Sequence, residues 1–274
     1  MNLQRLFNAA GQGVIVTGGA SGIGLAMVEA LAGEGARVTI LDMDRAGMDR
    51  EVARLRNEGL DVRGRPLDVT DREALDAAFD EAAGLYGRLD VVFANAGIDP
   101  GPGFMSFTDR TQRLREHALE NYSDARWHQV IGVSLDAVFY SIRAAARHMK
   151  QGGGGRIVVT TSISAVRPAP GVGMAYMAAK AGAAHLVRTA ALELARYRIR
   201  VNAIAPGPFV TNIAGGRMRD PALQAAFSKT VPLGRLAQPD EIKGLALFLA
   251  TEASSFITGE QIVIDGGASL GAVD

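Results

Sequence analysis

Tyr176 and Lys180 stand four residues apart in the run from Ala175 to Lys180. On a helix that spacing puts both side chains on one face. A phenol titrating near ~10 is a poor base at neutral pH. An ammonium one turn away stabilises the phenolate and lowers that value. A hydroxyl such as Ser162 would hold the oxygen of a reacting group. The set suits proton transfer in an alcohol–carbonyl interconversion. By itself, a Tyr–Lys pair at this spacing is far more often a helix-surface pair than a catalytic one. The rest of the chain decides between those readings.

Thr17-Gly18-Gly19-Ala20-Ser21-Gly22-Ile23-Gly24 follows an apolar run at 14–17 and opens a helical stretch at 22–32. Glycines let the backbone turn tightly and approach a pyrophosphate, and a helix N-terminus offers unpaired N–H groups with partial positive charge. A spaced glycine triplet is a weak signal alone, but its place after the first strand of an α/β chain points to a dinucleotide. Asp42 ends the next apolar run, Thr39-Ile40-Leu41-Asp42. A carboxylate about twenty residues past the glycines accepts bonds from ribose hydroxyls and repels a 2′-phosphate. Ser21 and Met43 supply no phosphate-binding cation, and Arg45 fits the first turn of the next helix. This pattern favours NAD over NADP. A cationic nicotinamide near Lys180 would lower the Tyr176 value further.

Positioning these residues requires a scaffold. β-rich runs occur at 14–17, 37–41, 62–67, 89–93, 156–160, 199–204 and 261–264. Most are continuously apolar, as in strands covered on both faces. Helical stretches at 22–32, 45–58, 71–86, 124–149, 175–197 and 239–250 separate them. The alternation predicts an α/β fold: one doubly wound parallel sheet of about seven strands with right-handed crossovers and helices on both faces. No repeat or linker divides the chain, so residues 1–274 read as one domain. Asp68-Val69, Asn95-Ala96-Gly97, Ser162 and Pro206-Gly207 all fall at strand ends, which form one crevice in such a sheet.

Two connections exceed the usual length. An insertion at about 98–126 contains Phe104, Met105 and Phe107, whose burial is worth roughly 1.5–3 kcal/mol each. They are expected to wall a substrate pocket. A short helix is expected at 110–121, with Asp109 and Gln112 forming a capping box and Leu114, Ala118 and Tyr122 turned inward. A second loop, about 208–232, is expected to carry a short helix begun by Pro221 and to face the substrate.

Lys+Arg and Asp+Glu are both 29, a net charge of zero, which argues against a nucleic-acid partner. The chain has no Cys, which excludes disulfides, thiolate zinc, Cys nucleophiles and iron–sulfur clusters. Four His show no metal-binding spacing, and no metal is expected. No apolar run approaches the ~18 residues of a membrane span, and the first ten residues make a poor signal peptide. A cytoplasmic protein without a membrane partner is the expectation.

The motifs together resemble the short-chain dehydrogenase/reductase family. They stand in family order: Thr17-Gly18-x-x-x-Gly22-Ile23-Gly24, Asp42, Asp68-Val69, Asn95-Ala96-Gly97, Ser162, Tyr176-x-x-x-Lys180, Pro206-Gly207-Pro208-Phe209-Val210-Thr211 and the terminal Val263-Ile264-Asp265-Gly266-Gly267. The resemblance implies hydride transfer between NAD and a secondary alcohol or ketone. It implies Tyr176 as general acid/base, Lys180 on the nicotinamide ribose and Ser162 on the substrate oxygen. Gly18, Ser21, Gly22, Ile23, Gly24, Asp42, Met43, Asp68, Val69, Asn95, Ala96, Gly97, Pro206, Gly207, Val210 and Thr211 are implied to line the cofactor. Ser164, Val166, Met174 and Phe209 are pocket candidates, with Arg167 beside them.

Two departures stand out. Ser134 occupies the position where the family usually has an Asn that anchors a proton-relay water. Ser162 and Tyr176 are also fourteen apart, about one more than is common, which leaves Thr161 and Ser164 as alternative hydroxyls. The small residues of 175–197 (Ala178, Ala179, Ala181, Gly182, Ala183, Ala184, Ala190, Ala191) allow close packing on more than one side. With the last strand, the resemblance implies a homotetramer. Two other readings stay open: an NADPH-dependent 3-oxoacyl carrier-protein reductase, and a non-catalytic dinucleotide-binding sensor or scaffold.

Overall fold

Every residue of β1, Gly13–Thr17, is buried, as a strand covered on both faces must be. Its side chains alternate between two cores: Val14 and Val16 join one, Ile15 the other. The computed structural model describes residues 2–106 and 111–271. After the short α1 (Leu3–Leu6) and β1 come α2 (Gly22–Gly33), β2 (Arg37–Asp42), α3 (Arg45–Asn57), β3 (Val62–Pro66), α4 (Arg72–Tyr86) and β4 (Val91–Ala94). Then follow α5 (Asp124–Ile131), α6 (Ala137–Gln151), β5 (Gly155–Thr160), α7 (Met174–Leu194), β6 (Ile199–Pro206), α8 (Pro221–Ser228), α9 (Lys243–Ala250) and β7 (Gln261–Ile264).

The seven strands form one sheet in the order β3-β2-β1-β4-β5-β6-β7, all pairs parallel. One core packs Leu75 and Phe79 of α4, Ile142 and Met149 of α6, and Val187 and Leu194 of α7 on one face. The other packs Met27 and Leu31 of α2, Met48 and Leu55 of α3, and Leu249 of α9 on the opposite face. Phe79 is fully buried, so truncating it to Ala would cost about 3–5 kcal/mol. The strand order reverses direction between β1 and β4, and Val16 pairs with both Ile40 and Phe93. That register sets the C-terminal ends of β2, β1 and β4 side by side, and a crevice opens there.

Three local features depart from the sequence expectation. The stretch 124–149 is not one regular helix: a π-helical turn, Gly132–Asp136, separates α5 from α6. The segment 239–250 begins as a 3₁₀ turn, Pro239–Ile242, with Glu241 closing a capping box on Gln238. The helix expected at 110–121 does not form. Leu114 N–H bonds Phe104 O at 2.8 Å and Ser106 N–H bonds Gln112 O at 3.0 Å, around a bridge between Met105 and Arg113. Two 3₁₀ turns follow, Arg115–His117 and Leu119–Asn121. Long-range bonds explain the change. Gly103 N–H bonds Gly171 O at 2.7 Å and Met105 N–H bonds Pro170 O at 3.1 Å, and tertiary pairing overrides local helix propensity. Ala118 is nonetheless buried, with Leu114 and Tyr122 half-buried, so the inward face survives without the helix. Phe107 and Asp109 lie outside the described residues.

Candidate active site

The glycine turn is fixed by contacts that leave no room for side chains. Gly18 and Gly22 adopt φ of 66° and 56°, left-handed values that favour glycine. A Cβ on Gly24 would lie 2.0 Å from Gly18 O and 2.5 Å from the Asn95 amide nitrogen. Asn95 closes the arrangement. Its Nδ2 donates to Thr17 O and Gly18 O, both at 3.0 Å, and its Oδ1 accepts from Thr160 Oγ1 at 2.9 Å. Thr17 Oγ1 accepts from the Asn95 and Ala96 amides at 3.0 and 3.1 Å. One Asn thus ties the ends of β1, β4 and β5 together.

Ser21, the N-cap of α2, makes no side-chain bond to the helix, so the first-turn amides remain for an anion. Asp42 is held by two backbone donors, Ala20 N–H and Asp44 N–H, both at 3.0 Å. Its carboxylate stands at the end of β2 beside Met43, which is 75% exposed. Asp68 accepts from both the amide and the hydroxyl of Thr70. The geometry fits a dinucleotide: a tight glycine cradle, open amides at a helix start and a fixed carboxylate.

The catalytic candidates come from three other elements. Ser162 follows β5, and its hydroxyl hydrogen-bonds that of Tyr176 while accepting from Ser164 N–H at 3.1 Å. Thr161 turns away, donating to Ile204 O and Gln261 Oε1 at 3.0 and 2.9 Å. Among the neighbouring hydroxyls considered, Ser162 is the one bonded to the phenol. Lys180 is 1% exposed. Its Nζ donates to Thr160 O at 2.7 Å and sits 5.6 Å from the Tyr176 ring centre. Burial lowers the Lys180 ammonium to about 8.

The expected depression of Tyr176 by Lys180 is absent from the protein alone. Burial pushes the phenol up to about 12, the Ser162 bond works against that, and the negative charge of Asp99 adds to it. The low-dielectric surroundings disfavour the phenolate more strongly than the protein's own groups stabilise it.

Ser134 is fully buried in the π-helical turn. Its hydroxyl accepts from Ile98 N–H at 3.1 Å and donates to Ile98 O at 3.3 Å, pinning the helix to the chain leaving β4. Gly97 lies between this hydroxyl and the lysine: a Cβ there would be 3.0 Å from Lys180 Nζ and 3.6 Å from Ser134 Oγ.

One groove of about 1750 Å³ joins these parts, larger than the ~300–1,000 Å³ of a typical small-ligand pocket. Gly18, Ser21, Gly22, Ile23, Asp42, Met43, Asp68, Val69, Asn95, Ala96, Gly97, Ser162, Ser164, Tyr176, Lys180, Pro206, Gly207, Phe209 and Thr211 line it. Gly24 acts from behind as a packing glycine. Val210, Val166, Met174 and Ser134 are not on its walls. Val166 ends a 3₁₀ turn and is 68% exposed. The Val210 amide is spent on Ala237 O at 2.9 Å. Met174 is the first residue of α7, and Ser134 is committed to Ile98. Arg167 lies at the groove, with Nη1 donating to Ala268 O at 3.0 Å.

Sequence reasoning missed Asp99, His128 and Gln129 on the walls. It also missed the Thr160 carbonyl, which carries no side-chain signal, and the spacer role of Gly97. Phe104 does not line the groove; Met105 and Ser106 do, and the Phe104 ring stacks under Arg113 at 5.4 Å. Among the described residues, no group of three or more His, Asp or Glu could hold a metal, and no helix is long and apolar enough to cross a membrane.

Residues 18–269 match the family model described as enoyl-(acyl carrier protein) reductase. The chain is 36% identical to galactitol 2-dehydrogenase (L-tagatose-forming) of Cereibacter sphaeroides, over 98% of this chain and 100% of that one. It is 39% identical to cis-4-hydroxycyclohexanecarboxylate dehydrogenase of Sinomonas cyclohexanicum, over 92% and 94%. Its fold superposes with a TM-score of 0.87 on a gluconate 5-dehydrogenase from Burkholderia cenocepacia solved with NADP and tartrate, at 31% identity over 99% and 100% of the two chains. With relatives of this kind along nearly its whole length, the chain belongs to the short-chain dehydrogenase/reductase family.

Proposed function

We propose that this protein moves a hydride between a nicotinamide dinucleotide, NAD(H) in preference to NADP(H), and a secondary alcohol or ketone. The observation that carries the proposal is the single groove. It holds the Ser162–Tyr176 hydrogen bond and Lys180 at one end, and the glycine cradle with Asp42 at the other. The nicotinamide supplies the hydride acceptor or donor and, when oxidised, a positive charge. Gly18, Ser21, Gly22 and Ile23 would hold the pyrophosphate, Asp42 the adenosine ribose, and Asp68 with Val69 the adenine. Asn95, Ala96 and Gly97 form the floor, and Pro206, Gly207 and Thr211 the nicotinamide end.

The chain's own residues then divide the proton chemistry. Ser162 holds the substrate oxygen, and Tyr176 Oη takes its proton on oxidation or returns one on reduction. Tyr176 keeps that proton to about 12 in the protein alone, so a phenolate needs added positive charge nearby. Lys180, anchored on Thr160 O, is the protein group placed to supply part of it. A bound NAD⁺ would supply the acceptor for the hydride of the carbinol carbon, while Ser162 holds the substrate oxygen and Tyr176, as phenolate, takes the proton of its hydroxyl.

Ser106, His128, Gln129, Ser164 and Asn212 share the substrate end with Met105, Val172 and Phe209. That mixture suits a substrate with more than one hydroxyl, in keeping with relatives named for galactitol and gluconate. The NAD preference rests on Asp42 and on the absence of a cation at Ser21 and Met43; the NADP-bound relative is the reason to measure it.

The test is a panel of secondary alcohols and polyols with NAD⁺ or NADP⁺, read at nicotinamide absorbance. Tyr176→Phe should lower turnover about 10²–10⁴-fold, the usual worth of a general acid/base, with NADH binding close to wild type. Retained turnover removes Tyr176 from the mechanism. Tighter binding of NADPH than of NADH overturns the cofactor preference.

A further inference from the structure

We infer that the backbone pairing of the insertion with residues 170–171 fixes one wall of the substrate site, and that Gly103 sets through it the largest substrate the site admits. The inference rests on the dehydrogenase reading above and adds a size limit to it. Pro170, Gly171 and Val172 lie between Ser162 and Tyr176 in the chain and line the groove, whereas Gly103 is buried and does not line it. Gly103 N–H bonds Gly171 O at 2.7 Å, and Met105 N–H bonds Pro170 O at 3.1 Å. The insertion thus stands behind the wall and holds it by main-chain bonds.

So close an approach requires glycine. A Cβ on Gly103 would lie 2.3 Å from Pro170 O, 2.4 Å from Val172 O and 2.9 Å from the Gly171 carbonyl carbon. All three are backbone atoms, so no side-chain rotation relieves them. The two carbonyls would have to retreat by about 1 Å to reach ordinary van der Waals distance.

The strip that carries Gly103 is braced against moving instead. Gly103 and Met105 use one edge of it, and Phe104 and Ser106 use the other, as alternate residues of an extended chain do. On that second edge Leu114 N–H bonds Phe104 O at 2.8 Å and Ser106 N–H bonds Gln112 O at 3.0 Å, and Arg113 stacks on the Phe104 ring. The displacement therefore falls on 170–172, which belongs to no helix or strand, and carries Val172 into the groove. It stops at α7, where Ala175 and Ala179 are fully buried and Lys180 is bonded to Thr160 O. Tyr176 keeps its place while the wall advances. Gly103 is a positioning residue for substrate size, with no part in proton transfer.

Erythritol and galactitol are the probes, polyols of four and six carbons with the same secondary-alcohol chemistry. The experiment measures kcat and KM for both with NAD⁺ in wild type, Gly103→Ala, and Gly103→Ala combined with Val172→Ala. NADH titration checks that each variant keeps the cofactor end. In Gly103→Ala, kcat/KM for galactitol should fall about tenfold or more relative to erythritol, within the roughly hundredfold that a misplacement of about 1 Å can cost. The loss should lie mostly in KM. Val172→Ala vacates space on the advanced wall, so the double variant should regain most of the lost ratio. Val172→Leu with Gly103 intact fills the groove from the same wall and should lower the same ratio, an arm that does not depend on the folding of Gly103→Ala. Kd for both probes is also measured by calorimetry in the Tyr176→Phe background with NAD⁺ bound, with and without Gly103→Ala. An equal loss on both probes in Gly103→Ala, or an unchanged ratio in Gly103→Ala or Val172→Leu, overturns the inference. A size-dependent change in Kd without turnover of any alcohol supports the role of Gly103 and overturns the dehydrogenase reading instead.

Discussion

The two ends of the groove are built differently. At the cofactor end, each conspicuous residue has a short, specific partner. The Asn95 side chain bonds the ends of β1 and β5, Asp42 is held by two amides, and Gly24 admits no side chain. At the substrate end, walls come from connecting segments: the insertion after β4, the 3₁₀ turn after Ser162 and the stretch around α8. Gly103 and Met105 there meet Gly171 and Pro170 through backbone bonds, and Lys229 and Asn212 stand exposed. Backbone contacts shorter than a van der Waals distance tolerate few sequences, whereas loop surfaces tolerate many. The first end should therefore break sharply under substitution and the second should change by degrees.

The sharpest break is expected at Gly24. Its missing Cβ would lie 2.0 Å from the Gly18 backbone oxygen, which cannot swing away as a side-chain tip would. Gly24→Ala should destabilise the fold by about 1–3 kcal/mol, the usual cost of overpacking, and weaken dinucleotide binding about tenfold or more through the displaced turn. Thermal unfolding and NADH titration read both. Wild-type affinity in Gly24→Ala would show that the turn is looser than its contacts indicate.

Lys180 offers a second break, read through pH. In the folded protein its ammonium titrates near about 8; in the unfolded chain a lysine titrates near ~10.4. Between those values the unfolded state binds the extra proton, so stability rises with pH. The contribution is full above the unfolded value and is lost as pH falls to about 8. Tyr176 works oppositely: raised to about 12, it favours the folded state until pH climbs past the ordinary phenol range. From pH 8 to 10 the wild type should therefore gain about 2 kcal/mol relative to Lys180→Met, measured by urea unfolding. A flat difference would mean that Lys180 keeps its proton in the folded state.

The contrast between the two ends also explains what could be read in advance. The last strand, 261–264, and the glycine turn are legible because apolar runs and positive-φ glycines are local signals. Tyr176, Lys180 and Ser162 share an edge because strand ends in a parallel sheet do. The helix expected at 110–121 fails because its competitor, the backbone of Pro170 and Gly171, lies about sixty residues away in sequence, beyond any local pattern. Asp99 went unnoticed for the same reason: nothing near it in sequence shows that Gly173 and Tyr176 stand beside it. Val166 was misplaced because the 3₁₀ turn after Ser162 rotates it outward, a matter of one residue's phase.

Replacing 104–122 by a short bridge probes the substrate end directly. NADH affinity should stay near wild type, because among the described residues of the segment none bonds Asn95 or the glycine turn. Substrate KM should rise about tenfold, the scale of one or two lost wall contacts. Equal damage to NADH binding and KM would show that the insertion supports the whole crevice, and the two ends would no longer be separable.

The smallest effect is expected at Tyr122, where the two ends meet. Gly173, the N-cap of α7, has no side chain with which to cap the helix. The Ala175 amide instead bonds the Tyr122 hydroxyl, so a residue of the insertion satisfies a first-turn donor of the helix that carries Tyr176. Tyr122→Phe keeps the ring and its packing but removes that acceptor. Because the site is only half-buried, water can replace part of the lost bond, and the cost should be about 0.5–1.5 kcal/mol. If the bond also sets the entry of α7, kcat should fall by a few fold at unchanged KM and unchanged NADH affinity, because it is the placement of Tyr176 that alters. A change in KM alone would make Tyr122 a wall of the substrate site, and no kinetic change would leave it a helix cap and nothing more.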